Sequence, residues 1–378
     1  MLYKPECMLM QTTDIFNVLV QLLRMSMGCE PVATVQLTAR QWRELYRMAC
    51  QQTLVGVVYG VVKQMDETTR PPLDMMLEWT ARAEAIKGYN RKMNEMATSL
   101  TKWFDEHGRH SVILKGQANA RLYPHPEERQ PGDIDIYVEG GRKEVLELLR
   151  KHGMMDDRAE VIYHHVHLPP QDNMVSVEVH FRPSSGNYNP FTNNRLQRVL
   201  NKEIAKTEVC AEGFNVPTVT FALLMQLSHI QRHFLGGGIG LRQITDYYLL
   251  LKHADDNDRQ RVTAQLARLG LRQAAGAVMW LMQQLFSMPT TLMIAAPDAR
   301  RGAWLLDEIK TGGNFGFHAA WQHLPVWQFF FKKRERALRL YRFNCSENIW
   351  VELAYWWNLV RRIPERVKYR KWSLRKTK

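Results

Sequence analysis

One short segment, residues 132–138 (GDIDIYV), constrains the fold and the chemistry of this chain more than any other. Its apolar and polar residues alternate, which is typical of a β-strand. Side chains alternate faces along a strand, so Asp133 and Asp135 share one face, and Ile134 and Ile136 share the other. Two neighbouring carboxylates repel each other and require solvent, protonation or a cation. The segment therefore predicts either a divalent-cation site or a strand with an exposed acidic face.

Mg²⁺ in proteins is commonly held by one or two carboxylates together with substrate phosphates, which makes phosphoryl or nucleotidyl transfer the first functional hypothesis. The preceding residues fit this hypothesis. Residues 111–114 (SVIL) predict a short buried strand, which Lys115 and Gly116 interrupt before a helical segment begins at Gln117. A glycine at such a turn lets a phosphate approach the backbone, and the helix N-terminus offers free N–H groups.

A third carboxylate lies on the next alternating segment, residues 175–181 (VSVEVHF). Valine and phenylalanine occupy one face of this predicted strand, whereas Ser176, Glu178 and His180 occupy the other. A carboxylate on a neighbouring strand would complete a two-metal site, in which paired cations clamp the attacking and leaving oxygens. Glu178 is therefore the third candidate ligand, and His180 lies beside it.

The order of these segments resembles that of the polymerase-β-like nucleotidyltransferase superfamily. The amino-acid sequences of these segments are similar to those of the bacterial group labelled uncharacterised nucleotidyltransferases. The similarity covers roughly residues 100–320, and the nucleotidyltransferase core is its specific part. It rests on residues 114–116 (LKG), 129–135 (RQPGDID), 177–180 (VEVH), 229–233 (HIQRH), 238–246 (GIGLRQITD) and 313–316 (GNFG).

The resemblance implies a nucleotidyltransferase that uses an NTP as donor and two Mg²⁺ or Mn²⁺ ions as cofactors. The implied metal ligands and catalytic residues are Asp133, Asp135 and Glu178, with Glu178 also taking the proton of the acceptor. The expected nucleotide-binding residues are Lys115, Gly116, Gln117, Arg129, Gly132, Arg242 and Asp246. The chain departs from the superfamily at the glycine-rich turn, where Ser or Gly usually follows the glycine and Gln117 follows it here.

Arg242 and Asp246 lie four residues apart on a predicted helix, residues 241–253. They form either an ordinary ion pair along the helix or a surface that faces the acidic strands. Arg129 lies in a polar loop before the acidic strand and is a candidate phosphate contact.

The histidines are expected to be structural. His229 and His233 share one helix face and are expected in the core or a polar cleft. On a strand, His165 and His167 share a face while His164 points away, so these three imidazoles are not expected to form a ligand set.

The predicted fold is α+β, a small mixed sheet that forms a nucleotidyltransferase core flanked by helical regions. The predicted regions are residues 1–108 (helical), 109–216 (α/β core) and 217–378 (helical, with a basic tail). The predicted strands are 111–114, 133–138, 161–168 and 174–181, and the predicted helices of the core are 117–123 and 141–152. Further helices are predicted at 221–234, 241–253 and 275–286.

The net charge of +13 is concentrated at the C-terminus, since residues 361–378 hold nine Lys or Arg and one Glu. A nearly neutral body is unlike that of a dedicated nucleic-acid binder and favours a small-molecule or sugar acceptor. The tail follows an aromatic segment, residues 349–360. It is either a solvated end or a contact for nucleic acid or an anionic membrane.

Five scattered cysteines without a Cys-x-x-Cys pair predict that the protein resides in a reducing cytoplasm. The sequence shows no signal-peptide pattern and no apolar run of the roughly 18 residues that a membrane span needs.

Three functions remain open. The chain is an enzyme acting on a small molecule or sugar, an enzyme modifying RNA or protein, or a nucleotide-binding module without catalysis. The presence of all three acidic residues argues against the third.

Overall fold

The computed structural model describes residues 14–156, 158–169, 175–316 and 324–361. As predicted, it is an α+β structure in which helices precede and follow a small mixed sheet. Apart from Arg361, the predicted basic tail lies outside the described residues, as do residues 1–13.

Four helices form the first part of the structure. Their bounds are Ile15–Ser26 (α1), Ala39–Gln51 (α2), Val55–Val62 (α3) and Leu73–Glu106 (α4). Side chains cap the first two, because Asp14 accepts from the N–H of Phe16, and Thr38 forms a capping box with Gln41. Pro72, whose φ is fixed, immediately precedes α4.

The sheet contains the four predicted strands in shortened form. Their bounds are Ser111–Ile113 (β1), Ile134–Val138 (β2), His165–His167 (β3) and Val177–His180 (β4). The strand order is β1-β2-β4-β3, with β2 parallel to β4 and the other two pairs antiparallel. The predicted helices of this region are Gln117–Ala120 (α5) and Gly141–Lys151 (α6).

One helix in the predicted β-rich stretch was not expected, Pro190–Glu203 (α7). The Asn189 side chain caps it by accepting from the N–H groups of Phe191 and Thr192, and Pro190 occupies the first helical position. A two-stranded hairpin follows, formed by Thr207–Val209 (β5) and Asn215–Pro217 (β6).

The last part of the described chain is helical, as predicted. Its helices are Val219–Gly236 (α8), Leu241–His253 (α9), Asp256–Gln265 (α10), Arg272–Phe286 (α11), Ala299–Gly312 (α12), Val326–Leu340 (α13) and Cys345–Arg361 (α14). The outermost helices α13 and α14 carry exposed aromatic side chains, among them Trp327, Phe331 and Trp357. Among the described residues, no helix combines the length and apolar composition that crossing a bilayer requires.

The described residues form two hydrophobic cores. The larger joins α1, α2 and α3 with α8, α9 and α11, so helices from before and after the sheet share one core. The smaller core packs the apolar face of the sheet against α6 and the second half of α4. Helix α4 contributes to both, with Trp79 and Ile86 in the larger core and Met93 and Phe104 in the smaller.

Candidate active site

The polar face of the sheet carries the predicted carboxylates on its two central strands. In the parallel pairing of β2 with β4, Asp135 lies directly opposite Glu178. The residues on either side of each, such as Ile134 and Val177, are buried in the smaller core. Asp135 is buried, Glu178 is 14% exposed, and Asp133 is exposed just before β2 begins. The strand alternation therefore brings two of the three predicted acids together and leaves the third at the solvent end.

Asp135 is neutralised by two basic groups. Its Oδ1 lies 3.2 Å from Nζ of Lys115 and 3.0 Å from Nε2 of His180. Burial by itself raises the pKa of Asp135, but Lys115 and His180 outweigh burial and hold this pKa well below its usual range. Asp135 is therefore an anion at neutral pH, and cationic charge compensates it.

Glu178 is surrounded by three imidazoles. Its Oε2 lies 3.0 Å from Nδ1 of His165 and 3.4 Å from Nε2 of His180, and its Oε1 lies 3.5 Å from Nδ1 of His167. Burial lowers the pKa of His180, but hydrogen bonds to Asp135 and Glu178 raise it above its usual value. Burial, together with His180 and His167, lowers the pKa of His165 to about 3. His180 thus carries positive charge beside the carboxylates more readily than His165 does.

Possible ligand atoms on this face form three overlapping sets whose members lie within 4.8 Å of one another. The sets are Asp135–Glu178–His180, His165–His167–Glu178 and His164–His165–His180. Asp133 belongs to none of these sets. The carboxylates of Asp135 and Glu178 offer the oxygen ligands that Mg²⁺ and Mn²⁺ take, and the imidazoles add nitrogen ligands.

The histidine cluster corrects the sequence-based expectation for His164. This residue lies in a bend just before β3, so the strand alternation does not apply to it. Its ring contacts those of His165 and His180, at centroid distances of 4.4 and 5.2 Å. Alternation did place His165 and His167 together. The missing information was that β3 pairs with β4, which sets His165 opposite His180.

The turn between β1 and α5 lies beside the acidic strand. The N–H of Leu114 donates to the carbonyl oxygen of Asp135 at 2.9 Å, which fixes the turn to β2. Gly116 has φ 63° and ψ −104°, a conformation that favours glycine. A Cβ at Gly116 would lie 3.3 Å from the carbonyl oxygen of Asp133, closer than ordinary contact. The glycine therefore permits the close approach of the turn to Asp133.

Gln117 follows this glycine and is buried. Its Nε2 donates to Oδ1 of Asn94 on α4. Gln117 thus fastens the turn to α4, and its amide nitrogen is engaged by Asn94.

Arg129 and Asp246 form a buried ion pair across the molecule. Nε and Nη2 of Arg129 donate to the two oxygens of Asp246 at 2.8 and 2.7 Å, and the Tyr123 hydroxyl donates to the same carboxylate at 2.7 Å. Burial raises the pKa of Asp246, but Arg129 outweighs it and lowers this pKa below its usual value. The ion partner of Asp246 is therefore Arg129, on the loop before β2.

Arg242, one turn before Asp246 on α9, donates hydrogen bonds to the same loop. Its Nη1 donates to the carbonyl oxygens of Gln130 and Pro131 at 2.9 and 3.3 Å. Asn90 on α4 adds two more bonds, donating to the carbonyl oxygens of Glu127 and Arg129 at 2.7 and 2.8 Å. These bonds fix the path of the chain into Gly132 and Asp133.

His229 and His233 lie on α8 with ring centroids 4.1 Å apart. Burial holds the pKa of His229 well below its usual value, and His233, Lys115 and His164 lower it further. The electrostatic influence of Lys115 and His164 shows that this part of α8 is near the histidine cluster.

Comparisons with known proteins found a family and a solved structure to which this chain is similar. A family model described as an uncharacterised nucleotidyltransferase matches residues 38–287, a span that contains every residue of the site. No curated protein matches the chain. A crystal structure of an antigenic nucleotidyltransferase-like protein from Paracoccidioides brasiliensis is similar at 14% sequence identity, over 55% of this chain and 94% of that chain, with a TM-score of 0.34.

Proposed function

The chain belongs to the uncharacterised nucleotidyltransferase family, and we propose that it transfers a nucleoside monophosphate from an NTP to an acceptor hydroxyl with the help of divalent metal ions. The family match confirms the resemblance that the sequence motifs indicate. The observation that supports the proposed reaction is the placement of Asp135 directly opposite Glu178 on parallel strands, with Asp133 exposed just before β2.

The acids of this face suit a cation. Asp135 and Glu178 would hold the ions, because they offer carboxylate oxygens opposite each other on adjacent strands, and the exposed Asp133 would add a third carboxylate just before β2. Lys115 and His180 already place positive charge on Asp135, which indicates that this buried carboxylate requires a counterion. When bound, divalent ions neutralise the charge on the phosphoryl oxygens and lower the pKa of an acceptor hydroxyl.

The protein's own groups have distinct tasks in this proposal. Lys115 and the backbone at Gly116 bind the phosphates of the nucleotide, since the turn lies alongside Asp133. Glu178 takes the proton of the acceptor, and His180, bonded to both carboxylates, orients Glu178. The loop before β2 is held rigidly, so Asp133 keeps its position as the nucleotide enters.

The proposed acceptor is a small molecule or a sugar. Apart from the last eighteen residues, the chain is nearly neutral, which disfavours a polyanionic acceptor such as RNA. The presence of all three acids in the sequence, Asp133, Asp135 and Glu178, disfavours a module that binds a nucleotide without catalysis.

The test is to incubate the full chain with Mg²⁺ or Mn²⁺ and each labelled NTP, and then to follow the label into small molecules, RNA and protein. Asp133→Asn and Glu178→Gln should each lower turnover by roughly a hundredfold or more while the fold is kept. Glu139→Gln is the matched control, because Glu139 is an exposed acid at the opposite end of β2. Near-normal turnover in Asp133→Asn or Glu178→Gln would refute the assignment, and label in RNA would replace the proposed acceptor.

A further inference from the structure

The outer edge of the sheet presents two histidines to Glu178. Strand β3 is the edge strand, and its antiparallel pairing sets His167 opposite Glu178. His165 shares the face of His167, and their Nε2 atoms lie 3.0 Å apart. Both rings also turn Nδ1 toward the Glu178 carboxylate, at 3.0 Å for His165 and 3.5 Å for His167.

These separations suit a metal ion. Ligands held at about 2.0–2.1 Å from one ion, at tetrahedral or octahedral angles, lie roughly 3.0–3.4 Å from one another. The distances from Nδ1 of His165 and of His167 to the Glu178 oxygens, 3.0 and 3.5 Å, are close to this size, and one ligand atom from each of the three residues fits within 4.8 Å.

A second observation points to a ligand. His165 is only 4% exposed, and its Nδ1 has no hydrogen bond with acceptable geometry although Glu178 Oε2 is 3.0 Å away. A buried polar atom without a good partner is costly, so it calls for an explanation such as an ion.

We propose that His165, His167 and Glu178 bind a divalent transition-metal ion of the class that includes Mn²⁺, Co²⁺ and Zn²⁺. Two imidazoles and one carboxylate suit such ions, whereas Mg²⁺ prefers oxygen ligands alone. The His167 side chain is 43% exposed, so an ion in solution can reach this side of the site.

Glu178 then bridges two parts of the site. One of its oxygens, Oε2, lies 3.0 Å from Nδ1 of His165 and 3.4 Å from Nε2 of His180, which also contacts the buried Asp135. The other, Oε1, lies 3.5 Å from Nδ1 of the partly exposed His167. Because it shares Glu178, this inference deepens the proposed function by naming a metal preference for its site. Binding of the ion itself requires no nucleotide.

The test is titration of the chelator-treated full chain with Co²⁺ in the absence of nucleotide, followed by visible absorption of the bound ion. The native chain should bind Co²⁺ with imidazole coordination, Zn²⁺ should displace it, and excess Mg²⁺ should not. His167→Ala should weaken Co²⁺ binding by at least about tenfold, in line with the loss of a ligand. His253→Ala is the matched control, since His253 is exposed at the end of α9, and it should bind as the native chain does.

Unchanged Co²⁺ affinity in His167→Ala, or displacement by Mg²⁺ as effective as that by Zn²⁺, would overturn the proposal. The exposure of His167 makes loss of the fold unexpected, and circular dichroism of the variant verifies this. Asp133→Asn separates the two hypotheses, because Asp133 lies in none of the ligand sets. Asp133→Asn should therefore lose turnover and keep Co²⁺ binding. Co²⁺ binding by a native chain that transfers no nucleotide would support this site while refuting the proposed reaction.

Discussion

Replacing Asp246 with Asn tests whether the buried pair with Arg129 holds the structure around the site. Both residues are 4% exposed, and the Asp246 carboxylate accepts three hydrogen bonds from Arg129 and Tyr123. Asparagine keeps the shape but removes the charge and turns an NH₂ group toward donors. Breaking a buried pair by removing one partner costs about 3–5 kcal/mol, because the remaining charge stays buried without compensation.

Urea unfolding followed by circular dichroism measures this loss. With an m-value of roughly 3 kcal/mol per molar, the midpoint of Asp246→Asn should fall by about 1–2 M. The control is Asp307→Asn, which removes an exposed partner of Arg339, and surface pairs of this kind contribute about 0–1 kcal/mol. Equal midpoints for Asp246→Asn and Asp307→Asn would refute the reasoning. Replacing Arg129 and Asp246 together with apolar residues should restore much of the loss, since no lone charge remains.

The same pair has a defined pH dependence. The pKa of Asp246 is lower in the folded protein than its usual value, so its contribution to stability is present above that usual value, about 3.9. The contribution is lost as the pH falls through the lowered pKa of the folded state. The difference in unfolding free energy between the native chain and Asp246→Asn should therefore be constant near neutrality and shrink below about pH 4. A difference that grows in acid would contradict this account.

Two further predictions concern the turn and the tail. Gly116→Ala should destabilise the fold by roughly 1–3 kcal/mol and weaken NTP binding, because φ at residue 116 is 63° and a Cβ would crowd the carbonyl oxygen of Asp133. Thermal unfolding measures the loss of stability, and nucleotide titration measures the loss of binding. Gly88→Ala, inside α4 where a Cβ would make only an ordinary contact with the Arg91 side chain, should instead stabilise by about 0.5–1 kcal/mol. Equal effects at the two glycines would exclude the conformational explanation. Deleting residues 361–378 should leave transfer to a small acceptor unchanged in a turnover assay, because the site lies between Lys115 and Asp246, and a large loss of turnover would make the tail part of the site.

The sequence predicts those parts of the site that depend on local periodicity. Alternation along a strand is a local property, so the shared face of Asp133 and Asp135 and the face of Glu178 follow from the residues alone. The pairing of Arg129 with Asp246 joins residues 117 positions apart, and no periodicity within one element specifies such a partner. Sequence reasoning accordingly kept both residues as nucleotide contacts, whereas each is occupied by the other in the structure.

Two other differences have separate causes. The sequence analysis does not predict helix α7, although Asn189 followed by Pro190 is a typical signal for the start of a helix. The histidine cluster required the strand order, because His165 meets His180 only when β3 lies beside β4. The hairpin-like placement of β3 next to β4 is the register information that a pattern on one strand does not contain.

The geometry of the site depends on two cores that meet in α4. The strands carrying Asp135 and Glu178 belong to the smaller core, whereas the helix that supplies Arg242 and Asp246 to the loop before β2 belongs to the larger. Helix α4 spans both cores, and its Asn90 bonds directly to that loop. A substitution in α9 should therefore shift Asp133, which the loop carries, while the opposed pair Asp135 and Glu178 keeps its strand register. Asp133, which belongs to none of the ligand sets, is thus the acid whose position depends on the helices that hold the loop before β2.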